Sequence, residues 1–425
     1  MRVQRGVRRS ILFLVRFQLG LSITAVLIIA AVMTVVGPAW RDSGSTITYT
    51  AIACALASIL GVYLLRNVRN YPGVEESFYI IPAFCAAYGA LLVTLVLARI
   101  PYSRLLLTGS FVANIALFII IYALLRRRTK LSIGVVPVGE YARLIETAGV
   151  EWRLLDRPGA SVDDLDSVSV DLWHDLSDGW ERELASFALR GIPVYHSKHL
   201  RESLTGKVEI ERLSENNFGT LSPLYAYMTA KHVVDWLAAL VALVVLLPLL
   251  VATGVLIKLD SRGPVIFRQT RIGYQGRPFR VLKFRTMTVG DGGGQHAANR
   301  DAAMTKDNDH RITRTGRLLR RTRIDELPQL LNVLKGEMSW IGPRPEAEVL
   351  SRWYESEIPF YRYRHIVRPG ITGWAQVHQG HVAHVDEVRE KLNYDFYYIK
   401  NFSLWIDVIV VARTVRTMLT GFGSR

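Results

Sequence analysis

Asp325 and Glu326 stand side by side behind a dense set of cations, Arg314, Arg317, Arg320, Arg321 and Arg323. The apolar run Leu330, Leu331, Val333, Leu334 follows. Pro328 comes three residues after Asp325, and proline is tolerated only in the first turn of a helix, so Asp325 reads as the N-cap or N1 residue. Both carboxylates are then expected at the positive end of a helix dipole, beside guanidinium groups, with depressed pKa values. A helix start among arginines also seats phosphate. An ionised carboxylate beside bound phosphate can act as a nucleophile or hold Mg²⁺. The plainer reading is a helix cap among solvated arginines, so the surroundings decide.

The chain has 425 residues, room for two or three domains. Half of it is hydrophobic, yet its net charge is +15. Apolar and basic character together imply a membrane protein that meets anionic partners, either lipid headgroups or phosphorylated substrates. The cations are mixed into long apolar segments rather than gathered in one basic domain, which speaks against a nucleic-acid partner. The two cysteines, Cys54 and Cys85, both lie in apolar segments, so no disulfide framework or zinc site is indicated.

Four apolar runs precede residue 126, at about 11–36, 47–65, 78–97 and 105–125. Each is close to the ~20 residues that cross a bilayer. The first is too long for a signal peptide and lacks a clear small-residue cleavage site. Arg2, Arg5, Arg8, Arg9, Arg66, Arg69 and the cluster Arg126, Arg127, Arg128, Lys130 fall on one side. The positive-inside rule places that side, and all that follows, in the cytoplasm. No Asp, Glu, Lys or His lies within a span after Arg16, so the spans read as anchor and scaffold rather than a transport path.

Residues 131–225 alternate short strand and helix patterns, which predicts a parallel, Rossmann-like α/β module. A dinucleotide site needs three close glycines after the first strand. Here the turn offers Gly134 and Gly139 with Pro137 between, so the module reads as structural or regulatory. His174, His196 and His199 have no metal-ligand spacing and read as surface or packing residues.

A further apolar run, 231–258, carries Pro248 within it. It is long enough to span. It can also dip into one leaflet and return, because an internal proline kinks a helix. Next, Val265–Arg271 and Phe279–Arg285 read as strands joined by a turn at Gly273–Gly276, with Lys283 and Arg285 on one face. The loop Val289–His310 reads as mobile. Phe402–Leu419 is amphipathic and reads as an interfacial helix that also packs on the domain before it.

Six ordered motifs over residues 231–425 carry a resemblance. They are GPVIFRQTRIGYQGRPF, KFRTM (Lys283–Met287), RITRTGRLLR, DELPQLLNVLKGEMSWIGPRP (Asp325–Pro345), RPGITGWAQV and YDFYYIKNFSLWIDV. The sequence resembles the bacterial sugar transferases, the monotopic phosphoglycosyl transferases that make polyprenyl-diphosphate sugars. With four spans and a degenerate Rossmann-like module ahead, it resembles the large form of that family. The resemblance implies three regions. These are a transmembrane bundle (1–130), the α/β module (131–225) and an α/β catalytic domain (226–425) whose helix 231–258 re-enters the membrane at Pro248. In place of the frequent Ser-Pro at that break, this chain has Leu247-Pro248.

The same resemblance implies the chemistry. Asp325 attacks the β-phosphorus of a UDP-sugar and releases UMP. Undecaprenyl phosphate, a membrane lipid, then takes the sugar phosphate from the aspartyl adduct. Glu326 holds Mg²⁺. Lys283, Arg320 and Arg344 bind phosphate, with Arg285 and Arg368 as weaker candidates, and Gln376 falls near the nucleotide. Glucose and galactose are the leading sugars with N-acetylated sugars left open, the bacterial inner membrane is the expected location, and a homodimer is a further expectation. Two departures stand out: Arg323 replaces a frequent Ser, and His378 and His381 surround the position of an expected arginine. A triad of His378, His381 and His384 suits no single helix face as a metal site. Two other readings compete. One is a non-catalytic scaffold of polysaccharide assembly. The other, a membrane-bound nucleotide-sugar dehydratase or epimerase, would need the missing glycine fingerprint.

Overall fold

The computed structural model describes residues 15–36, 44–67, 79–126, 131–162, 164–209, 225–288, 311–379 and 385–420. The chain forms two compact units, Met1–Thr205 and Gly206–Arg425. The basic residues at 2–9, 69 and 127–130, and the loop 289–310, lie outside the described residues.

In the first unit the four expected spans are helices: α1 (Val15–Val36), α2 (Gly44–Asn67), α3 (Ile80–Leu97) and α4 (Arg104–Arg126). All four are long and apolar enough to cross a membrane. Small and polar side chains join them. The Asn114 amide donates to Ser58 Oγ at 3.2 Å and Tyr88 OH at 3.3 Å, and its oxygen accepts from Ser22. In lipid, where apolar contact gives no preference for protein over acyl chain, such bonds are worth about 0.6 kcal/mol each and fix which faces meet.

The α/β part of that unit has strands β1 (Leu131–Val135), β2 (Val150–Leu154), β3 (Ser167–Val170) and β4 (Val194–His196). They form one sheet in the order β2-β1-β3-β4, parallel throughout. Helices α5 (Tyr141–Ile145) and α6 (Asp178–Leu189) connect the strands, and α7 (Ser197–Thr205), which the sequence pattern did not suggest, follows β4. The histidines of this module are not scattered. His174 and His196 lie 3.1 Å and 3.6 Å from the buried Asp171 carboxylate, and His199 lies 3.4 Å from Glu202.

The second unit begins earlier than expected. Val208 N–H donates to Asn393 O, Trp374 Nε1 to Gly206 O, and Lys207 pairs with Glu390, so residues 206–209 belong here rather than with the sheet module. Helix α8 (Tyr225–Asp260) carries Pro248 inside one continuous element. The expected break is therefore a proline within a helix, not a gap between two. The ring removes one hydrogen bond, and the bonds of flanking residues carry the helix on. At ~1.5 Å per residue, its 36 residues extend about 54 Å, far more than the ~30 Å of hydrocarbon.

That helix packs on the α/β unit along both halves. Ala239 belongs to a core with Phe279, Val281, Leu330, Val333 and Met338, flanked by Ala242 and Leu246. Ile257 belongs to a core with Phe284 and Leu319, flanked by Leu250. At its start Lys231 lies buried between Asp235, at 3.2 Å, and Asp407, at 2.9 Å. Its outward face shows Val234, Leu237, Val241, Val244, Val245, Val251 and Val255.

Strands β5 (Ile266–Ile272) and β6 (Pro278–Phe284) pair antiparallel, one residue displaced from the expected spans. The turn between them puts Gln275 and Gly276 at φ 56° and 72°. Helix α9 (Arg314–Arg321), a 3₁₀ turn (Ile324–Gln329) and α10 (Leu330–Leu334) follow. Strands β7 (Ser339–Ile341) and β8 (Gly370–Thr372) pair in parallel. A Cβ at Gly342 would strike Arg368 O and Gly370 N, so glycine is needed where these backbones meet. Between them lie α11 (Glu348–Glu357) and a 3₁₀ turn (Tyr361–Ile366). Helices α12 (Trp374–His378), α13 (Val385–Lys400) and α14 (Leu404–Thr420) close the unit. On α14, Ile406, Ile409 and Val410 are buried while Leu404, Val411 and Val415 are exposed, so one face packs and the other is free.

Candidate active site

Asp325 and Glu326 lie in the 3₁₀ turn, and both are buried. Asp325 is its second residue rather than the N-cap or N1 of an α-helix. The turn instead starts from Arg323, in the left-handed region at φ 58°. A six-residue 3₁₀ segment carries little dipole, so the electrostatics here come from side chains.

Lys283, on β6, donates to Glu326 Oε1 at 2.7 Å, and Arg344 donates to the same oxygen at 2.9 Å. Burial alone would raise the Glu326 pKa, but Arg344 and Lys283 hold it well below the usual carboxylate range. Asp325 behaves in the opposite way from the expected depression. Burial raises its pKa, the adjacent Glu326 adds to that, and Lys283, Arg320 and Arg344 only partly oppose it. Lys283 and Arg344 are bonded to Glu326, and among the described residues the buried Asp325 Oδ1 has no hydrogen-bond partner. Burial brings Lys283 down to about 8, with Glu326 acting against it.

Four side chains position these groups. Asn332, fully buried, accepts from Leu282 N–H at 3.0 Å and donates to Arg280 O at 2.8 Å, replacing a missing strand neighbour beside Lys283. Thr313 caps α9 by accepting from Gly316 N–H at 2.9 Å, and Thr313 N–H donates to Thr286 O. A Cβ at Gly316 would strike that same carbonyl. Arg320 Nε donates to Thr286 Oγ1 at 3.0 Å from the last turn of α9, where its charge acts on Asp325. Arg364 Nη2 donates to Arg344 O at 2.8 Å while its guanidinium pairs with Asp395 at 2.8 Å and Tyr361 OH at 2.8 Å. Arg364 therefore holds the backbone that carries Arg344.

The structure thus gathers Lys283, Arg320, Asp325, Glu326 and Arg344. Three further expected residues are engaged in contacts of their own. Arg285 is buried and donates to Ile257 O at 3.4 Å and Ser261 O at 2.7 Å, so it caps the end of α8. Arg368 donates to Gly336 O at 3.1 Å and lies over the Tyr274 ring. Gln376 donates weakly to Ile371 O at 3.4 Å, and its buried Oε1 has no partner among the described residues. Arg271, Asn332 and Arg364 were missed because their roles depend on contacts distant in sequence; the alternation of β5 was the one available signal for Arg271.

His378 is fixed as neutral by its partners. Trp374 O can only accept, so Nδ1 carries the proton; Arg413 can only donate, so Nε2 is bare. Burial and then Arg413 bring its pKa down to about 3. His381 and His384 lie outside the described residues.

Among the described residues no group of three His, Cys, Asp or Glu could hold a metal ion. Mg²⁺ fits the two carboxylates nonetheless. It takes one or two protein carboxylates and completes its shell with water and substrate phosphate, and Asp325 Oδ1 is a buried oxygen awaiting a partner.

Two buried carboxylates among cations thus lie on an α/β unit fastened to a helix long and apolar enough to cross a membrane. Residues 226–421 match the family model of the bacterial sugar transferases. The chain is 48% identical over 370 residues, 86% of itself and 85% of the relative, to a UDP-N-acetylgalactosamine-undecaprenyl-phosphate N-acetylgalactosaminephosphotransferase of Aeromonas hydrophila. It is 44% identical over 200 residues to a UDP-glucose:undecaprenyl-phosphate glucose-1-phosphate transferase of Caulobacter vibrioides, covering 47% of this chain and 73% of that one. An exopolysaccharide production protein of Rhizobium leguminosarum is 43% identical over 200 residues, 45% of this chain and 96% of the relative. The protein belongs to the bacterial sugar transferase family, as a large phosphoglycosyl transferase.

Proposed function

We propose that the protein transfers a sugar 1-phosphate from a UDP-sugar to undecaprenyl phosphate, releasing UMP and starting a polysaccharide chain. The observation that carries the mechanism is the division of labour between the two carboxylates: Glu326 takes Lys283 and Arg344, and Asp325 Oδ1 has no partner among the described residues. An Asp325 oxygen attacks the sugar-bearing phosphorus, the bond to the nucleotide breaks, and UMP leaves. The lipid phosphate then attacks the same phosphorus and frees Asp325. Splitting the transfer lets one site serve a soluble donor and a lipid acceptor in turn. Lys283, Arg320 and Arg344 orient and neutralise phosphate oxygens, which is most of what phosphoryl transfer asks of a protein. Glu326, with Asp325, would hold Mg²⁺, whose charge offsets repulsion between the diphosphate and the incoming carboxylate.

The donor sugar favoured here is N-acetylgalactosamine, because the relative named for it aligns across both units. Glucose is the second reading, supported by a relative aligned over the catalytic half. Galactose, expected beside glucose, gains no support from these relatives.

We also read α8 as re-entrant from the cytoplasmic face of the inner membrane. A helix standing through a bilayer cannot lay a charged domain against both its halves, and α8 packs on that domain at Ala239 and at Ile257 alike. The parallel sheet ahead is read as a Rossmann-like module without nucleotide function; its strand order supports this, as does the absence of the glycine fingerprint. The test of the main reading is UMP release by the purified chain from UDP-N-acetylgalactosamine, UDP-glucose, UDP-galactose and UDP-N-acetylglucosamine, with Mg²⁺ and undecaprenyl phosphate. Release from one donor identifies the sugar, and no release from any would return the scaffold reading.

A further inference from the structure

Arg271 was not among the residues expected at the site, yet its charge lies beside it. It projects from β5, next to the Pro343–Ala347 segment, where Ile272 N–H donates to Glu346 O at 3.2 Å. Its own hydrogen bonds go to neutral groups: the Pro345 carbonyl, and Gln269 Oε1 at 3.0 Å and 3.3 Å. Among the described residues no carboxylate pairs with it. The two nearby are engaged elsewhere, Glu326 by Lys283 and Arg344, and Glu346 by Lys391. Burial, and then the like charge of Arg344, lower its pKa to about 10. A half-buried cation beside another cation, with no carboxylate paired to it, gains when an anion joins it.

Which anion follows from position. Lys283, Arg320 and Arg344 are the cations that most affect Asp325; Arg271 donates to the Pro345 carbonyl, one residue beyond Arg344, and its backbone bridges to Ala347. In an in-line transfer the leaving group departs on the side of phosphorus opposite the nucleophile. On the aspartyl-transfer reading given above, we propose that Arg271 binds the phosphate of the departing nucleotide. In that step an Asp325 oxygen bonds to the sugar-bearing phosphorus, the bridging P–O bond breaks, and its electron pair leaves on UMP. The nucleotide phosphate thereby gains a negative charge, which a guanidinium already in place stabilises without reorganisation.

The test uses the full chain purified in detergent, with UMP and uridine as paired inhibitors. Arg271→Gln is expected to weaken UMP inhibition about a hundredfold and leave uridine unchanged. It is expected to slow formation of the aspartyl adduct by a similar factor, while discharge of the isolated adduct onto undecaprenyl phosphate keeps its rate. The melting temperature without ligand is expected to hold, and the rise produced by UMP to vanish. Equal weakening of UMP and uridine, equal slowing of both half-reactions, or a lower melting temperature with the UMP rise retained would each overturn the proposal and leave Arg271 as a clamp on Pro345. If Arg271→Gln does not fold, Arg271→Lys decides: it should bind uridine normally and UMP about tenfold more weakly, and parity for both overturns the proposal. Absence of any adduct in the native enzyme would instead sink the aspartyl mechanism, and the UMP-to-uridine ratio would still judge Arg271.

Discussion

Lys283 and Glu326 meet at 2.7 Å across 43 positions of sequence, and this pairing separates the roles of two adjacent carboxylates. Removing the ammonium leaves Glu326 with Arg344 alone and strips a cation from the phosphate site. Lys283→Met is expected to lower kcat/KM for UMP release by about a hundredfold or more. Lys283→Arg should recover part of that loss. Wild-type rates in Lys283→Met would show the contact to be structural only.

The two carboxylates should fail differently. Asp325→Asn is expected to abolish the adduct, seen as loss of the sugar-phosphate mass on the peptide that carries residue 325. Glu326→Gln should retain a weak adduct but demand much higher Mg²⁺. An adduct in Asp325→Asn would move the nucleophile elsewhere.

The re-entrant reading predicts that both ends of α8 face one compartment. In a chain with Cys54 and Cys85 replaced by alanine, single cysteines at Ala230 and Asp260, both exposed, should react with an impermeant maleimide in inside-out vesicles only. Labelling from opposite sides would make α8 a fifth span.

Arg364 and Asp395 form a buried pair, at 3% and 1% side-chain exposure. Arg364→Met should cost about 3–5 kcal/mol of stability, because Asp395 is left charged and alone. Adding Asp395→Leu should restore much of it, read as the melting temperature of the purified chain. The double variant should still be slow, since the backbone of Arg344 has lost its support. A double variant as active as native would remove Arg364 from the positioning of the site.

His378 gives a pH dependence with a definite sign. Its folded pKa of about 3 lies below the ordinary 6.5. Between these values the unfolded chain takes up a proton that the native state refuses, so stability falls as pH drops through that window. His378→Gln can donate to Trp374 O and accept from Arg413 without titrating. Its acid dependence should be flatter than native, and an unchanged slope from pH 6.5 to 4 would contradict the assignment.

Much was legible from local pattern. The four spans, the parallel module, the β5–β6 hairpin and the acid pair were readable because hydrophobic period, turn residues and charge clusters are short-range signals. The opposed shifts of Asp325 and Glu326 were not readable, since both residues look alike in sequence and differ only in which oxygen the distant Lys283 and Arg344 reach. Arg285 alternates with Lys283 on one strand, yet its side chain ends on the carbonyls of α8. Sequence by itself determined which residue types are present and which elements they form. Tertiary structure alone decided which cations neutralise Glu326 and, among the described residues, which carboxylate oxygen has no partner and that Arg271 neighbours Arg344 with no carboxylate paired to it. The reason is physical: element formation follows from neighbours a few residues away, whereas desolvation and Coulomb energy depend on distances that only the packed chain sets.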